Sequence, residues 1–155
     1  MKVRLLAVGT RMPDWVTRGV EEYRKRLPRD FALEVEEIVP GARGRNADIG
    51  RAVALEGERV RARLKGGEHL VALEVNGKPW STEALAREAD GWRMQGRDVA
   101  LLVGGPDGLE PSLSASADQR WSLSPLTLPH PLVRIILTEQ LYRAWTLMVG
   151  HPYHR

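Results

Sequence analysis

The chain contains no cysteine, which removes disulfides, thiolate zinc sites, iron–sulfur clusters and cysteine nucleophiles from consideration. Histidine is scarce as well. The four residues, at positions 69, 130, 151 and 154, fall in no HExxH or related ligand spacing, so no metal site is expected. No apolar run is long enough to cross a bilayer, and the stretch before Arg11 is too short for a secretory h-region. A cytoplasmic protein with no membrane partner is expected. Internal repeats, low-complexity tracts and convincing linkers are all missing. With 155 residues, 43% of them hydrophobic, the chain can bury one substantial core, and a single domain over residues 1–155 is the expectation.

Lysine is also sparse: 19 of the 23 cations are arginine. Arginines cluster at Arg24, Arg26 and Arg29 with Lys25, at Arg43 and Arg45, and at Arg59, Arg61 and Arg63 with Lys65. The planar guanidinium binds phosphate through two parallel hydrogen bonds, so these clusters fit a nucleic-acid partner. They fit a solvated helix face equally well, since net charge speaks about association and not about fold.

Apolar periodicity alternates between two periods along the chain. Lys2–Val8, Phe31–Val39, His69–Val75 and Val99–Val103 read as strands, the last apolar enough to be covered on both faces. Between them, Asp14–Leu27, Asn46–Leu64 and a segment capped by Ser81 or Thr82 and carrying Leu85, Ala89 and Trp92 read as helices. A short helix near Ser112–Gln119, an apolar segment Leu123–Leu128 and a final helix from about Pro131 to Met148 complete the pattern. Strands separated by helices imply an α/β fold with a mainly parallel sheet flanked by helices.

In such sheets ligands sit beyond the carboxyl ends of the strands. Three segments occupy that position. One is Ala72–Val75, at the end of the third strand. The second is Val103-Gly104-Gly105-Pro106-Asp107-Gly108, where paired glycines allow close backbone approach and Pro-Asp-Gly makes a tight turn; it is neither a Walker A loop nor GxGxxG, and could be a plain structural turn. The third is Leu123-Ser124-Pro125-Leu126-Thr127-Leu128, whose side chains could pack an adenine while its backbone bonds the ring edge, or which could be a buried strand.

The segments AVGTRMPDW (7–15), RGRNADI (43–49), GKPW (77–80), LLVGGPDGL (101–109), WSLSPLTLPHPLVRIILTEQLYRAW (121–145) and HPYHR (151–155) resemble one family over essentially the whole chain. It is the SPOUT-class methyltransferases that N3-methylate pseudouridine 1915 of bacterial 23S rRNA. The combination of GGP-x-G, S-x-x-T-x-PH and a terminal YHR carries the resemblance. It implies a C-terminal deep trefoil knot, an exception to the rule that chains avoid knots. It further implies S-adenosylmethionine bound at Leu73, Gly104 and Leu123, Ser124, Pro125, Leu126, Thr127 and Leu128. A homodimer with the site completed across the interface, and 23S rRNA of the assembled ribosome as substrate, also follow from the resemblance.

A final helix that is apolar around most of its circumference, from Leu132 through Met148, fits burial against both the sheet and a second subunit, although one large core could also take it up. N3 of a pseudouridine must lose a proton, and a neutral histidine can accept it while a cation favours the anion. His154 and Tyr153 are the first catalytic candidates, with His130 and Arg143 next. Glu139 is expected to pair with Arg143 at i+4. His69 receives no function, and the tryptophans read as core or interface residues, with Trp80 the one most suited to the surface and Lys78 beside it suited to phosphate. Two alternatives remain open from sequence: a SPOUT enzyme acting on another RNA such as tRNA, and a non-catalytic RNA-binding factor.

Overall fold

The structure, a computed structural model, describes residues 1–46 and 48–154. Five strands form one sheet in the spatial order β2-β1-β4-β3-β5, with every neighbouring pair parallel. They are β1 (Val3–Val8), β2 (Leu33–Ile38), β3 (His69–Pro79), β4 (Val99–Val103) and β5 (Gln119–Ser122). The central strands β1 and β4 are buried along their whole length, as covering by helices on both faces requires.

Alternate residues of these strands feed two apolar layers. Leu5 and Leu101 face Leu85, Trp92, Leu137 and Leu141. Leu6 and Leu102 face Val60 and Leu113 on the other side. The first layer is closed by α1 (Asp14–Arg24), α3 (Thr82–Gln95) and α5 (His130–Val149), the second by α2 (Ile49–Arg63) and α4 (Pro111–Ser116). Helix α5 packs between α1 and α3. Gly19 lets α1 approach it, because a Cβ there would meet Ile135 Cδ1 at 2.7 Å. A charge is buried with this core: Arg4, 3% exposed, is held by Glu68, by Glu36 and by the Arg63 carbonyl. Five donors in a planar fork make arginine the cation that tolerates such a place.

Helix caps account for several element boundaries. Asp48 accepts from Arg51 N–H, Ser81 from Ala84 N–H, and Glu110 from Ser112 and Leu113 N–H; each satisfies donors the helix leaves open. Gly96 and Gly150 end α3 and α5 in the left-handed region, where glycine carries no steric cost.

Two boundaries differ from the sequence expectation in ways that build the site. Strand β3 does not stop at Asn76-Gly77. Its register with β5 jumps between Leu73 and Lys78, both of which pair with Trp121, so residues 74–77 bulge outward. Gly77 permits the close approach, since a Cβ there would lie 2.7 Å from the Trp121 carbonyl carbon. The expected helix to Gln119 ends at Ser116, and Gln119–Ser122 is the edge strand β5; the segment after it, Leu123–Leu128, is a loop and not a strand.

Candidate cofactor cleft and active site

A cleft of about 990 Å³ opens at the carboxyl ends of β1, β3 and β4, a size within the usual range for small-molecule sites. All three segments selected from sequence meet there. Leu73 and the 74–76 bulge form one wall, Gly104–Leu109 another, and Leu123, Ser124, Leu126, Thr127 and Leu128 a third. Pro125 does not line the cleft. Gly9, Thr10 and Met12 after β1, and Pro40, Gly41 and Arg43 after β2, close the fourth side. These latter two loops were not singled out by sequence, although the same strand-end rule reaches them.

The glycine loop has the geometry its residues demand. Gly105 to Gly108 forms a tight turn with Gly108 N–H donating to the Gly105 carbonyl at 3.0 Å, and Gly108 has φ +81°. Gly104 is the crowded position: a Cβ there would sit 2.4 Å from the Gly108 carbonyl carbon. Arg43 fastens this loop to the one after β2. Its Nε donates to Asp107 at 2.9 Å and its guanidinium pairs with Glu56, a carboxylate only 2% exposed that also accepts from Gly41 N–H. The two carboxylates raise the Arg43 pKa further above its ordinary value.

The third wall sets the apolar side chains of Leu123, Leu126 and Leu128 beside the hydroxyls of Ser124 and Thr127. Among the described residues, the loop makes few internal bonds: Leu126 N–H to Ser124 Oγ at 2.9 Å and Ser122 Oγ–H to the Ser124 carbonyl at 3.1 Å. Among the described residues, Thr127 and Leu128 take part in no backbone hydrogen bond of the loop. An adenine ring needs apolar faces and a bonded edge, and this loop offers both.

Of the four candidate catalytic residues, the structure brings only His130 to this cleft. It opens α5 and lies beside Arg134, one turn on, whose Nε donates to His130 Nε2 at 2.8 Å. Burial and the Arg134 charge lower the His130 pKa, against the opposing pull of the Gly104 backbone and Glu37. Sequence reading passed over Arg134. It is 4% exposed, donates to the Gly9 carbonyl at 2.9 Å and to Glu37 at 2.8 Å, and its one sequence signal is a lone cation in the apolar run PLVRIIL, four residues after a histidine.

Arg143, Tyr153 and His154 gather at the other end of α5. Arg143 pairs with Glu139 at 2.7 Å, as expected from their spacing, and its guanidinium lies 4.9 Å from the centre of the Tyr153 ring. Tyr153 packs on Tyr142 with centroids 4.6 Å apart, and its hydroxyl donates to Glu139 at 3.1 Å. Burial, followed by the Glu139 carboxylate, raises the Tyr153 pKa, which disfavours the phenolate a base would need. From His130 to Tyr142 the helix advances about 18 Å, so these groups do not reach the cleft of their own chain. Arg155 lies outside the described residues.

Several arginines that composition offered to RNA are engaged locally. Arg24 and Arg26 pair with Glu21 and Glu22, Arg61 with Glu110, and Arg59 donates to the Val39 and Pro40 carbonyls. Trp80 is half-buried and stacked on Trp121 at 5.1 Å, so it is no free platform for a base. His69 bonds Gln119 across the β3–β5 pair at 2.7 Å, a structural position.

Known proteins share both sequence and fold with this chain. A ribosomal RNA large subunit methyltransferase H of Chromohalobacter salexigens is 68% identical over the full length of both chains. The protein of that name from Pseudomonas aeruginosa is 59% identical, again over all of both chains. Among solved structures, a methylase-family protein of Haemophilus influenzae superposes with a TM-score of 0.59 at 9% identity, covering 99% of this chain and 70% of that one. A chain from Legionella pneumophila, described as a methyltransferase in complex with SAM, gives 0.51 at 13% identity, covering 93% and 66%. These two likenesses concern the fold. The family model described as "Predicted SPOUT methyltransferase" matches residues 1–154, and the chain belongs to the SPOUT methyltransferase family.

Proposed function

We propose that this protein transfers a methyl group from S-adenosylmethionine to large-subunit ribosomal RNA, at N3 of pseudouridine 1915 of 23S rRNA in the assembled ribosome. The observation that carries the reading is the full-length 68% identity to a protein named for large-subunit rRNA methylation. The cleft supports it, because its residues fit the cofactor: apolar Leu123, Leu126 and Leu128 with open backbone groups for the adenine, and a glycine loop for close approach. The choice of pseudouridine N3 rests on the resemblance of GGP-x-G, S-x-x-T-x-PH and the YHR tail.

The cofactor supplies an activated methyl on a sulfonium; the protein must hold the acceptor in line with it. Alignment of this kind contributes roughly 7–11 kcal/mol in favourable cases. Leu73, Gly104 and the 123–128 loop bind and orient the donor, with Pro125 shaping the loop from outside the wall. The proton on N3 needs an acceptor, and within one chain the cleft presents only His130 from the four candidates. The protein therefore acts as a homodimer in which the tail of a second copy reaches the cleft, with His154 as the acceptor and Arg143 favouring the N3 anion. The half-exposed apolar residues of α5, with Leu132 39% and Val149 52% exposed, support a subunit contact along this helix. A trefoil threading of the chain after β5, which returns from the sheet edge to the cleft before α5, and a single cytoplasmic SPOUT domain belong to the same reading.

The test uses ribosomes from a strain lacking this gene, incubated with the purified protein and labelled S-adenosylmethionine and digested for nucleoside mass spectrometry. A gain of 3-methylpseudouridine in 23S rRNA is expected. Label in tRNA or in a different nucleoside would overturn the substrate assignment.

A further inference from the structure

His130 is the one candidate base in the cleft, and its surroundings decide what it can do. Nε2 already accepts a hydrogen bond from Arg134 Nε. Arginine cannot give up that proton in a protein, so the imidazole lone pair is occupied by a permanent donor. A neutral ring then carries its proton on Nδ1. Among the described residues, buried Nδ1 makes no well-formed hydrogen bond, and the Gly104 backbone is the group it approaches, on a ring whose residue lines the same cleft.

Arg134 itself is overdetermined. Its three nitrogens each have a different partner: His130, the Glu37 carboxylate at the end of β2 and the Gly9 carbonyl at the end of β1. Gly9 has φ +153°, and a Cβ there would come within 3.3 Å of Arg134 Nη2, His130 Nε2 and Met12 Cε. The clamp thus needs glycine at position 9 to close. The charged groups facing His130 are Arg134 on α5 and Glu37 on β2; β1 and β4 present the Gly9 and Gly104 backbone.

We propose that Arg134 is a positioning residue that fixes His130 as the neutral Nδ1–H tautomer, making it an uncharged wall of the cleft and not the proton acceptor of the reaction. The function follows from the donor's charge. A sulfonium is a cation, and an imidazolium beside it would repel it in the low-dielectric cleft. Arg134 prevents that by engaging the site where the proton would add, while Glu37 balances its own charge. This rests on the reading of the cleft as an S-adenosylmethionine site.

The test combines long-range ¹H–¹⁵N NMR of the histidines with cofactor binding across pH. In the unaltered protein the His130 ring should show the Nδ1–H neutral pattern with no titration between about pH 5.5 and 8.5, and binding should be flat over that range. In Arg134→Met the ring should titrate, and S-adenosylmethionine affinity should fall by about tenfold toward the acid end, as one unit of pKa shift implies. Arg134→Lys, which keeps the charge but not the fork, should lose the fixed tautomer. An Nε2–H tautomer or a titrating His130 in the unaltered protein overturns the proposal, and so does flat binding in Arg134→Met. The NMR of the unaltered protein decides the tautomer even where a variant fails to fold. An unaltered chain that binds no S-adenosylmethionine while showing the fixed tautomer overturns the cofactor reading and the charge argument with it, leaving the clamp as architecture.

Discussion

The two ends of α5 carry the chemistry-bearing residues of this chain, and they are built differently. At the amino end, His130 and Arg134 are locked to the ends of β1 and β2, and His130 opens onto the cleft. At the carboxyl end, Tyr153 is held through Glu139, Arg143 and Tyr142 on a half-buried surface. One end is fixed by the sheet; the other is fixed by α5 itself and by Arg26 after α1, whose guanidinium lies 5.9 Å from the centre of the Tyr153 ring. The difference teaches that the cleft and the tail are separate assemblies within one chain, which is the arrangement the proposed composite dimer site requires.

Filling the cleft should have the largest effect on cofactor binding. In Gly104→Val the new side chain has no space beside Gly108, and overpacking of about 1–3 kcal/mol at the pocket floor should weaken S-adenosylmethionine by more than about tenfold in calorimetry. Binding equal to that of the unaltered chain would remove Gly104 from the pocket. The tail should behave oppositely. His154→Ala, or deletion of Tyr153–Arg155, should leave cofactor binding by calorimetry largely intact while methyl transfer falls by about 10²-fold or more, the usual scale for a lost acid–base group. Near-normal turnover in both would take the tail out of the mechanism.

Much of the cleft was legible in the sequence because its constraints are local. Gly-Gly-Pro-Asp-Gly specifies a turn by itself, and a strand end in a parallel sheet marks ligand position whatever the residues. Pro125 was carried along with its neighbours and is exposed outside the wall. Strand β5 was missed because Gln-Arg-Trp-Ser has no apolar alternation; it is a strand only because β3 offers an edge to pair with. The β3 bulge was misread as an end, since Asn-Gly signals a turn equally well in either setting. Arg134 was invisible for a different reason: a lone cation in an apolar helix is defined by partners more than ninety residues away in sequence. The separation of the tail from His130 was within reach of sequence, since the expected final helix between them advances about 1.5 Å per residue, some 30 Å in all.

Two smaller effects sharpen the picture of the cleft's rim. Arg43→Met leaves the buried Glu56 without its cation, and breaking such a pair should cost about 3 kcal/mol in urea denaturation; an unchanged midpoint would show that the Arg43 bridge does not hold the two loops. Glu110, at the start of α4, has its carboxyl lowered to about 2, mainly by Ser112 and then by the Leu113 backbone and Arg61. A depressed carboxyl contributes stability that is present above its ordinary range and lost as pH falls toward the folded value. Glu110→Ala should cost about 1 kcal/mol near neutrality, and the gap in melting temperature to the unaltered protein should close as pH falls toward 2. A gap that persists into acid would assign the cap's effect to packing.

The contrast between the two ends of α5 is tested most directly by mixing. Gly104→Val protein has a blocked pocket and an intact tail; the chain lacking Tyr153–Arg155 has an intact pocket and no tail. If each site combines the pocket of one copy with the tail of the other, co-refolding the two inactive variants yields mixed dimers with one working site, and methyl transfer to ribosomes returns. If the tail serves the pocket of its own chain, no mixed dimer contains an intact site, and the mixture stays as inactive as its parts.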